Sequence, residues 1–210
     1  MSKNALLHAK NPSSVWTEVG CDATGDLLVA LATGSSASNP VSSNSVLASA
    51  TITRPANTTA YDAKDAISDS TSAPTVITFS GMARVNAGAG TIVKARLITN
   101  QSTNVSQFRL HLFHTAPTPI NDNSPYTMLW ANRDKRIGMI DFPAATTEYS
   151  TSDCAAAMRP SSDGSYPPPN LWYKCASADT KLYGLLETLS AFTPASEQAF
   201  FIELGADGLS

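Results

Sequence analysis

The chain has 210 residues, a net charge of −3 and only 15% charged residues. This length is enough for one large β domain, or for a moderate domain with extensions. The low charge argues against a helical bundle and against a nucleic-acid binder, because the one basic cluster, Arg133, Lys135 and Arg136, is interrupted by Asp134. No apolar run approaches the roughly 20 residues of a membrane span, so no membrane partner is expected.

The N-terminal part of the chain predicts an extended arm. Residues 33–49, TGSSASNPVSSNSVLAS, are almost entirely small and polar, and such a segment buries too little apolar surface to offset the entropy of ordering it. We therefore expect an arm over residues 1–49 and a β domain over residues 50–210. The apolar side chains in this arm are predicted to anchor in a partner's surface; they are Trp16, Leu27, Leu28, Val29 and Leu31.

The first strands of the body are predicted at Ala50–Arg54, which Pro55 ends, and in the segment Thr75–Thr99. Within that segment, TVITFSGMARV and TIVKARLIT flank the sequence NAGAG. Gly88 and Gly90 can adopt the positive φ that a tight reversal needs, so the pattern predicts a β-hairpin. Residues 61–68, YDAKDAIS, fit either a short strand or one helical turn.

The remaining pattern is also rich in strands. In FRLHLFHT, Phe108–Thr115, the apolar Phe108, Leu110 and Leu112 alternate with Arg109 and His111. Ser150–Pro169 is predicted to be a long loop. Further strands are predicted at Tyr126–Trp130, Ile137–Phe142, Leu171–Ala176, Lys181–Leu189 and Ala199–Leu204. Short strands separated by turn residues predict an all-β antiparallel sandwich, similar to a jelly roll.

No catalytic or metal-binding constellation is evident, and no cofactor is expected. His111 and His114 are three apart, so on a strand they point to opposite faces and cannot easily share a metal. Asn121–Asp122–Asn123 is expected to be a polar turn rather than a Ca²⁺ site. Two carboxylates on one groove could serve a hydrolase, and the candidates are Asp141, Glu148, Asp153, Glu187 and Glu203.

Two other residue types have open alternatives. Trp130 and Trp172 lie in strand-like runs and are expected in the core, although aromatic side chains can also stack on sugars or anchor subunit interfaces. The three cysteines, Cys21, Cys154 and Cys175, lack zinc-site spacing and are expected to be reduced; a Cys154–Cys175 bridge is the alternative.

Three stretches resemble segments of structural proteins from tailed-bacteriophage virions. They are TITRPANTTAYDAKDAIS at Thr51–Ser68, the run from Thr75 through Phe142, and KLYGLLETLSAFTPAS at Lys181–Ser196. The resemblance covers about the last three-quarters of the chain and implies a virion component without a catalytic motif. Within that class, a capsid decoration (cement) protein is the expected subclass.

This resemblance implies a partner, a location and an assembly. The partner would be the major capsid protein, and the chain would act as a homo-trimer that clamps neighbouring capsid subunits. The first 15 residues lack the apolar region of a secretory signal, so synthesis in the bacterial host cytoplasm and residence in the virion are expected. The alternative is a tail- or fibre-associated protein that binds a host surface glycan, which predicts exposed aromatic side chains in the loops Asn121–Tyr126 and Ser150–Trp172.

Overall fold

The computed structural model describes residues 45–103, 106–147 and 153–208, together with the backbone of two short strands near the N-terminus. Contacts within the chain divide it into two compact units, Met1–Ser43 and Asn44–Ser210. In the first unit, β1 (His8–Lys10) pairs antiparallel with β2 (Trp16–Glu18). The second unit holds two six-stranded sheets.

The first sheet is built around two long central strands. Its strands are β3 (Ser45–Thr53), β6 (Ala89–Thr99), β10 (Thr146–Thr147), β11 (Ala155–Arg159), β12 (Leu171–Lys174) and β14 (Ala199–Gly208). They lie in the order β10-β11-β6-β14-β3, and β12 pairs with the first residues of β6. Every pairing is antiparallel. Side chains alternate along each strand between the core and the outer face, and the buried Ile52 on β3 and Leu97 on β6 point to the core.

The second sheet packs against the first. Its strands are β4 (Asp65–Ile67), β5 (Ile77–Phe79), β7 (Phe108–Phe113), β8 (Ser124–Pro125), β9 (Arg136–Asp141) and β13 (Leu182–Thr188). They lie in the order β8-β4-β13-β7-β9, and β5 pairs with the first half of β13. All of these pairings are antiparallel as well.

The space between the sheets is filled by aliphatic and aromatic side chains from both. The Phe108 ring of the second sheet meets the Phe200 ring of the first edge-on, with centroids 5.4 Å apart. Both rings are fully buried, and burial of one such ring stabilises a fold by about 1.5–3 kcal/mol. The prediction of an all-β antiparallel sandwich is therefore confirmed.

A buried ion pair closes one end of the sandwich. Arg54, which follows β3, lies 3.3 Å from Asp122, and neither side chain is exposed to solvent. The Arg54 Nε also donates to the Tyr61 hydroxyl at 2.7 Å, and that hydroxyl donates to Asp122 at 2.5 Å. The backbone N–H of Ser68 donates to the same carboxylate. Asp122, predicted to lie in a polar turn, is thus a buried residue that connects three loops.

The predicted hairpin over Thr75–Thr99 is wrong. β5 pairs with β13 in the second sheet, whereas β6 belongs to the first sheet, so the chain crosses between sheets instead of reversing within one. The positive φ values fall at Gly81 and Ala87, at 74° and 59°, and not at the two predicted glycines. Gly90 lies inside β6, where a side chain would collide with the buried Tyr173 hydroxyl.

For residues 61–68 the first of the two alternatives is confirmed, because the segment contains the short strand β4. Three other expectations are corrected. Residues 45–49, assigned to the arm, are the first half of β3, so the predicted boundary after residue 49 falls inside a strand. Residues 126–129 form no strand and lead into a single 3-10 turn, Trp130–Asn132. The predicted 150–169 loop contains β11, whose alanines pack between strands without the β-branched residues that usually mark one.

We expect Asp122→Ala to lower the free energy of unfolding by about 3–5 kcal/mol, because it leaves the Arg54 guanidinium buried without its counter-charge. Chemical denaturation of purified protein measures this change. The matched control is Asp134→Ala, which removes an exposed carboxylate. Equal stability of the two variants would contradict a structural role for the buried pair.

Candidate functional site

The structure describes only part of the predicted interface anchors. Trp16 is the first residue of β2 and pairs with Lys10 of β1, and nothing is known of its side chain. Leu27, Leu28, Val29 and Leu31 lie outside the described residues. The candidate interface that the described residues offer is instead on the sandwich, at the side of β3 that faces away from β14. We call this side the β3 edge.

The β3 edge carries unpaired backbone groups. Arg54 N–H donates to the Gln198 carbonyl at 3.1 Å, so this residue faces β14. Peptide groups of successive residues in an antiparallel strand point to alternate sides, and the β3–β14 register runs without a bulge. The N–H and C=O groups of Leu47, Ser49, Thr51 and Thr53 therefore point to the β3 edge. In the described part of the chain, no strand pairs with them there.

A groove of about 460 Å³ runs beside the second half of the β3 edge. Residues 50–53 of β3 form one wall, and Val76, Ile77 and Thr78 form the other. The only charged residue in the lining is Asp69, whose carboxylate accepts hydrogen bonds from the backbone and the hydroxyl of Thr75. The groove therefore offers an extended chain a threonine-rich slot with a single acidic side chain.

The outer face of the first sheet combines an ion cluster with exposed apolar side chains. Glu203 on β14 lies 3.1 Å from Arg96 and 3.8 Å from Lys94, both on β6. Leu47 is 65% exposed at the β3 end of this face. This ion cluster thus lies on the central strands β6 and β14, and β3 itself contributes no charge.

The predicted core positions of Trp130 and Trp172 are wrong. Trp130 is 79% exposed, and the Arg133 guanidinium lies 4.4 Å from its ring centroid. Trp172 is 57% exposed because it alternates with buried Tyr173 and so points away from the core. Exposed indole rings can serve as flat contact surfaces for a sugar or a protein partner.

Two of the five candidate carboxylates meet on the outer face of the second sheet. Arg109 on β7 pairs with Asp141 on β9 through its Nε at 2.5 Å and its Nη2 at 2.9 Å. Its Nη1 lies 4.0 Å from Glu187 on β13. One guanidinium therefore bridges both carboxylates. Of the other candidates, Glu203 lies in the first sheet, Asp153 is exposed and Glu148 is outside the described residues.

His111 completes this cluster as a neutral, buried group. Arg136 donates to its Nδ1 at 3.0 Å, so the proton resides on Nε2, which donates to Glu187 at 2.7 Å. The Tyr126 ring stacks on the imidazole with centroids 3.9 Å apart. Burial, together with the positive charges of Arg136 and Arg109, lowers the pKa of His111 to about 3.

The carboxylates of this cluster have opposite pKa shifts. Burial raises the pKa of Glu187, which is almost fully covered. The hydrogen bonds from Arg109 lower the pKa of Asp141, whose side chain is 38% exposed. Acid–base catalysis uses one carboxyl group with a raised pKa and another with a lowered pKa. Here, however, the carboxylate oxygens of both residues already face a guanidinium or an imidazole. The geometry fits best a cross-strand ion network that ties β9, β7 and β13 together.

The remaining chemical expectations concern thiols, metals and membranes. Cys154 and Cys175 are both free, and burial raises the pKa of the Cys175 thiol to about 11. Within the described ranges, no three His, Cys, Asp or Glu side chains are grouped so that they could hold a metal ion. None of the described helices is long and apolar enough to cross a bilayer.

Comparison with protein-family models and with curated proteins found no match for this chain.

The His111 cluster should make stability sensitive to acid. The unfolded chain takes up a proton on this imidazole near its ordinary pKa of 6.5, whereas the folded chain does so only near 3. Stability should therefore fall as the pH drops from 6.5 towards 3, by at most about 1.4 kcal/mol per pH unit. His111→Gln should flatten this fall between pH 6.5 and 5, and His114→Gln is the matched control. Denaturation at each pH measures it, and an unchanged slope in His111→Gln would contradict the assignment.

Proposed function

We propose that the chain is a structural protein of a tailed-bacteriophage virion, and that it decorates the capsid by clamping neighbouring major capsid protein subunits. The sequence support is the resemblance of three stretches to phage virion structural proteins. All three fall in the second unit, from β3 through β14. The proposal includes residence on the head as a homo-trimer, because a closed ring is a common way to cover exposed sheet edges.

One observation carries the proposal: the residues from Asn44 onward form a compact body in which two sheets share one core. A clamp needs a stiff body and at least one further point of attachment. The buried Arg54–Asp122 pair adds to the stiffness of this body, because it joins loops from both sheets. On this proposal the leader, residues 1–43 with Trp16 and Leu27–Leu31, supplies the further attachment by binding a neighbouring subunit.

A clamp also suits the load on a filled head. Packaged DNA presses the capsid subunits apart, and a protein that contacts several of them adds buried interface where they meet. The described surface offers uncharged contact areas for this purpose, chiefly the β3 edge and the exposed apolar side chains on the first sheet.

Deletion of residues 2–43 should abolish or strongly weaken binding to expanded heads of the phage that carries this protein, while the body stays folded. The deletion stops before β3, because the strand begins at Ser45. Binding is measured by co-sedimentation with purified heads, and a circular dichroism melt of the truncated protein serves as the folding control. Wild-type affinity of the truncated protein would contradict the role of the leader. Electron microscopy of labelled particles tests the location, and label on the tail would contradict the decoration proposal.

A second candidate function, binding of a host surface glycan by a tail- or fibre-associated protein, is favoured by the exposed Trp130 and Trp172 rings. On this proposal, replacing both by Ala should reduce retention on immobilised host polysaccharide by at least about tenfold, if a sugar ring stacked on an indole contributes on the order of the 1–3 kcal/mol that a stacked nucleic-acid base contributes. The matched control replaces the exposed Leu129 and Met139 by Ala. Unchanged retention in the tryptophan variant would rule this candidate out.

A further inference from the structure

We propose that the β3 edge pairs antiparallel with the β3 edge of a second copy across a two-fold axis, joining the first sheets of two copies into one continuous sheet. This self-association surface goes beyond the proposed capsid function and does not depend on it. It rests on the exposure, the backbone direction and the composition of β3.

The β3 edge lacks the protection found at the other edges of the two described sheets. β8 and β10 have two residues each, and β5 has three. β9 carries Arg136 and Asp141, and its ladder with β7 contains a register shift. β12 is short and ends in Lys174. Short strands, charges, prolines and bulges are the devices by which proteins prevent edge-to-edge pairing.

β3 has none of these devices. It is nine residues long, SVLASATIT, without a charged residue, a proline or a glycine, and its ladder with β14 has no register shift. A long, regular and uncharged edge is a template for strand addition. Among the strands that the structure describes, β3 thus has the edge most open to strand addition.

The direction of the backbone groups allows symmetric pairing over the central residues Leu47–Thr51. An antiparallel pair centred on Ser49 places Leu47 of one copy opposite Thr51 of the other, and Val46 opposite Ile52. Only odd-numbered residues direct their N–H and C=O groups to the β3 edge, and this register brings odd-numbered residues of both copies opposite one another. Each such pair can therefore exchange two backbone hydrogen bonds.

The side chains are compatible with the same register. No charge meets a like charge, because β3 contains none. The 65% exposed Leu47 would gain a β-branched cross-strand neighbour, a pairing that stabilises antiparallel sheets. A second copy is thus a suitable occupant: it supplies an uncharged extended strand of matching length. In a lattice of three-fold rings, such a two-fold contact would link one ring to the next.

Charge reversal at the contact tests the proposal with the full-length protein. Positions 47 and 51 face each other across the two-fold axis, and within one chain they pair with uncharged Gly205 and Phe201. L47K/T51K and L47E/T51E should each halve the mass of the wild-type assembly, measured by sedimentation velocity. The reason is that position 47 of each copy faces position 51 of the other, so two pairs of like charges would meet across the two-fold axis. An equimolar mixture of the two variants should restore the wild-type mass.

The matched control is M158K/W172K, which adds two lysines at exposed positions outside β3 and should keep the wild-type mass. Circular dichroism melts verify that all variants fold. The proposal is overturned if the wild type sediments as a monomer or as a single three-fold ring, if the two charged variants keep its mass, or if their mixture fails to reassociate. A monomer whose Ser49 and Thr51 amides resist hydrogen exchange would show that the chain's own N-terminal residues cover the edge.

Discussion

The fold of the second unit depends on the buried ion pair between Arg54 and Asp122. Arg54 immediately follows β3, and Asp122 lies in the loop before β8, so the pair joins the first sheet to the loops that border the second. Isolated burial of either charge would be prohibitive, but the Tyr61 hydroxyl, the Ser68 amide and the Asn57 carbonyl satisfy the remaining hydrogen-bonding groups. The aromatic core can therefore continue to the end of the sandwich, where the Tyr61 ring stacks on Phe192.

The second sheet also holds charged groups that are shielded from water, and these lie on its outer face. A neutral His111, a covered Glu187 and two arginines form a network across three strands, and Tyr126 covers the imidazole. The Arg109–Asp141 part of the network stays accessible to water, whereas the His111–Glu187 part does not. This gradient explains why burial dominates the pKa shifts of His111 and Glu187, and why hydrogen bonding dominates that of Asp141.

Sequence patterns predicted the class of fold because alternation is a local property. The alternating side chains of β7, the β-branched residues of β6 and the apolar residues at the start of β14 identify strands whatever their partners are. Strand partners depend on contacts distant in sequence, so the apparent hairpin between β5 and β6 proved to be a crossover between sheets. Asp122 resembled any polar turn residue, since its partner Arg54 is 68 residues away. The alternation of Val46, Ala48, Ala50 and Ile52 would have revealed the start of β3, but the surrounding serines obscured it.

The pairing of β3 with β14 also sets where the two ends of the body emerge. Ser45 lies directly opposite Asp207, and the two side chains are joined by a 3.0 Å hydrogen bond. A short linker could therefore connect these ends, and the exposed turn at Ser161–Gly164 would be a suitable place to open the chain, giving a circularly permuted sandwich. In such a permutant the strand order in space is unchanged while β3 becomes an internal element of the sequence. Any cargo appended after Gly208 in the natural order would leave the body beside the start of β3, on the same rim of the first sheet.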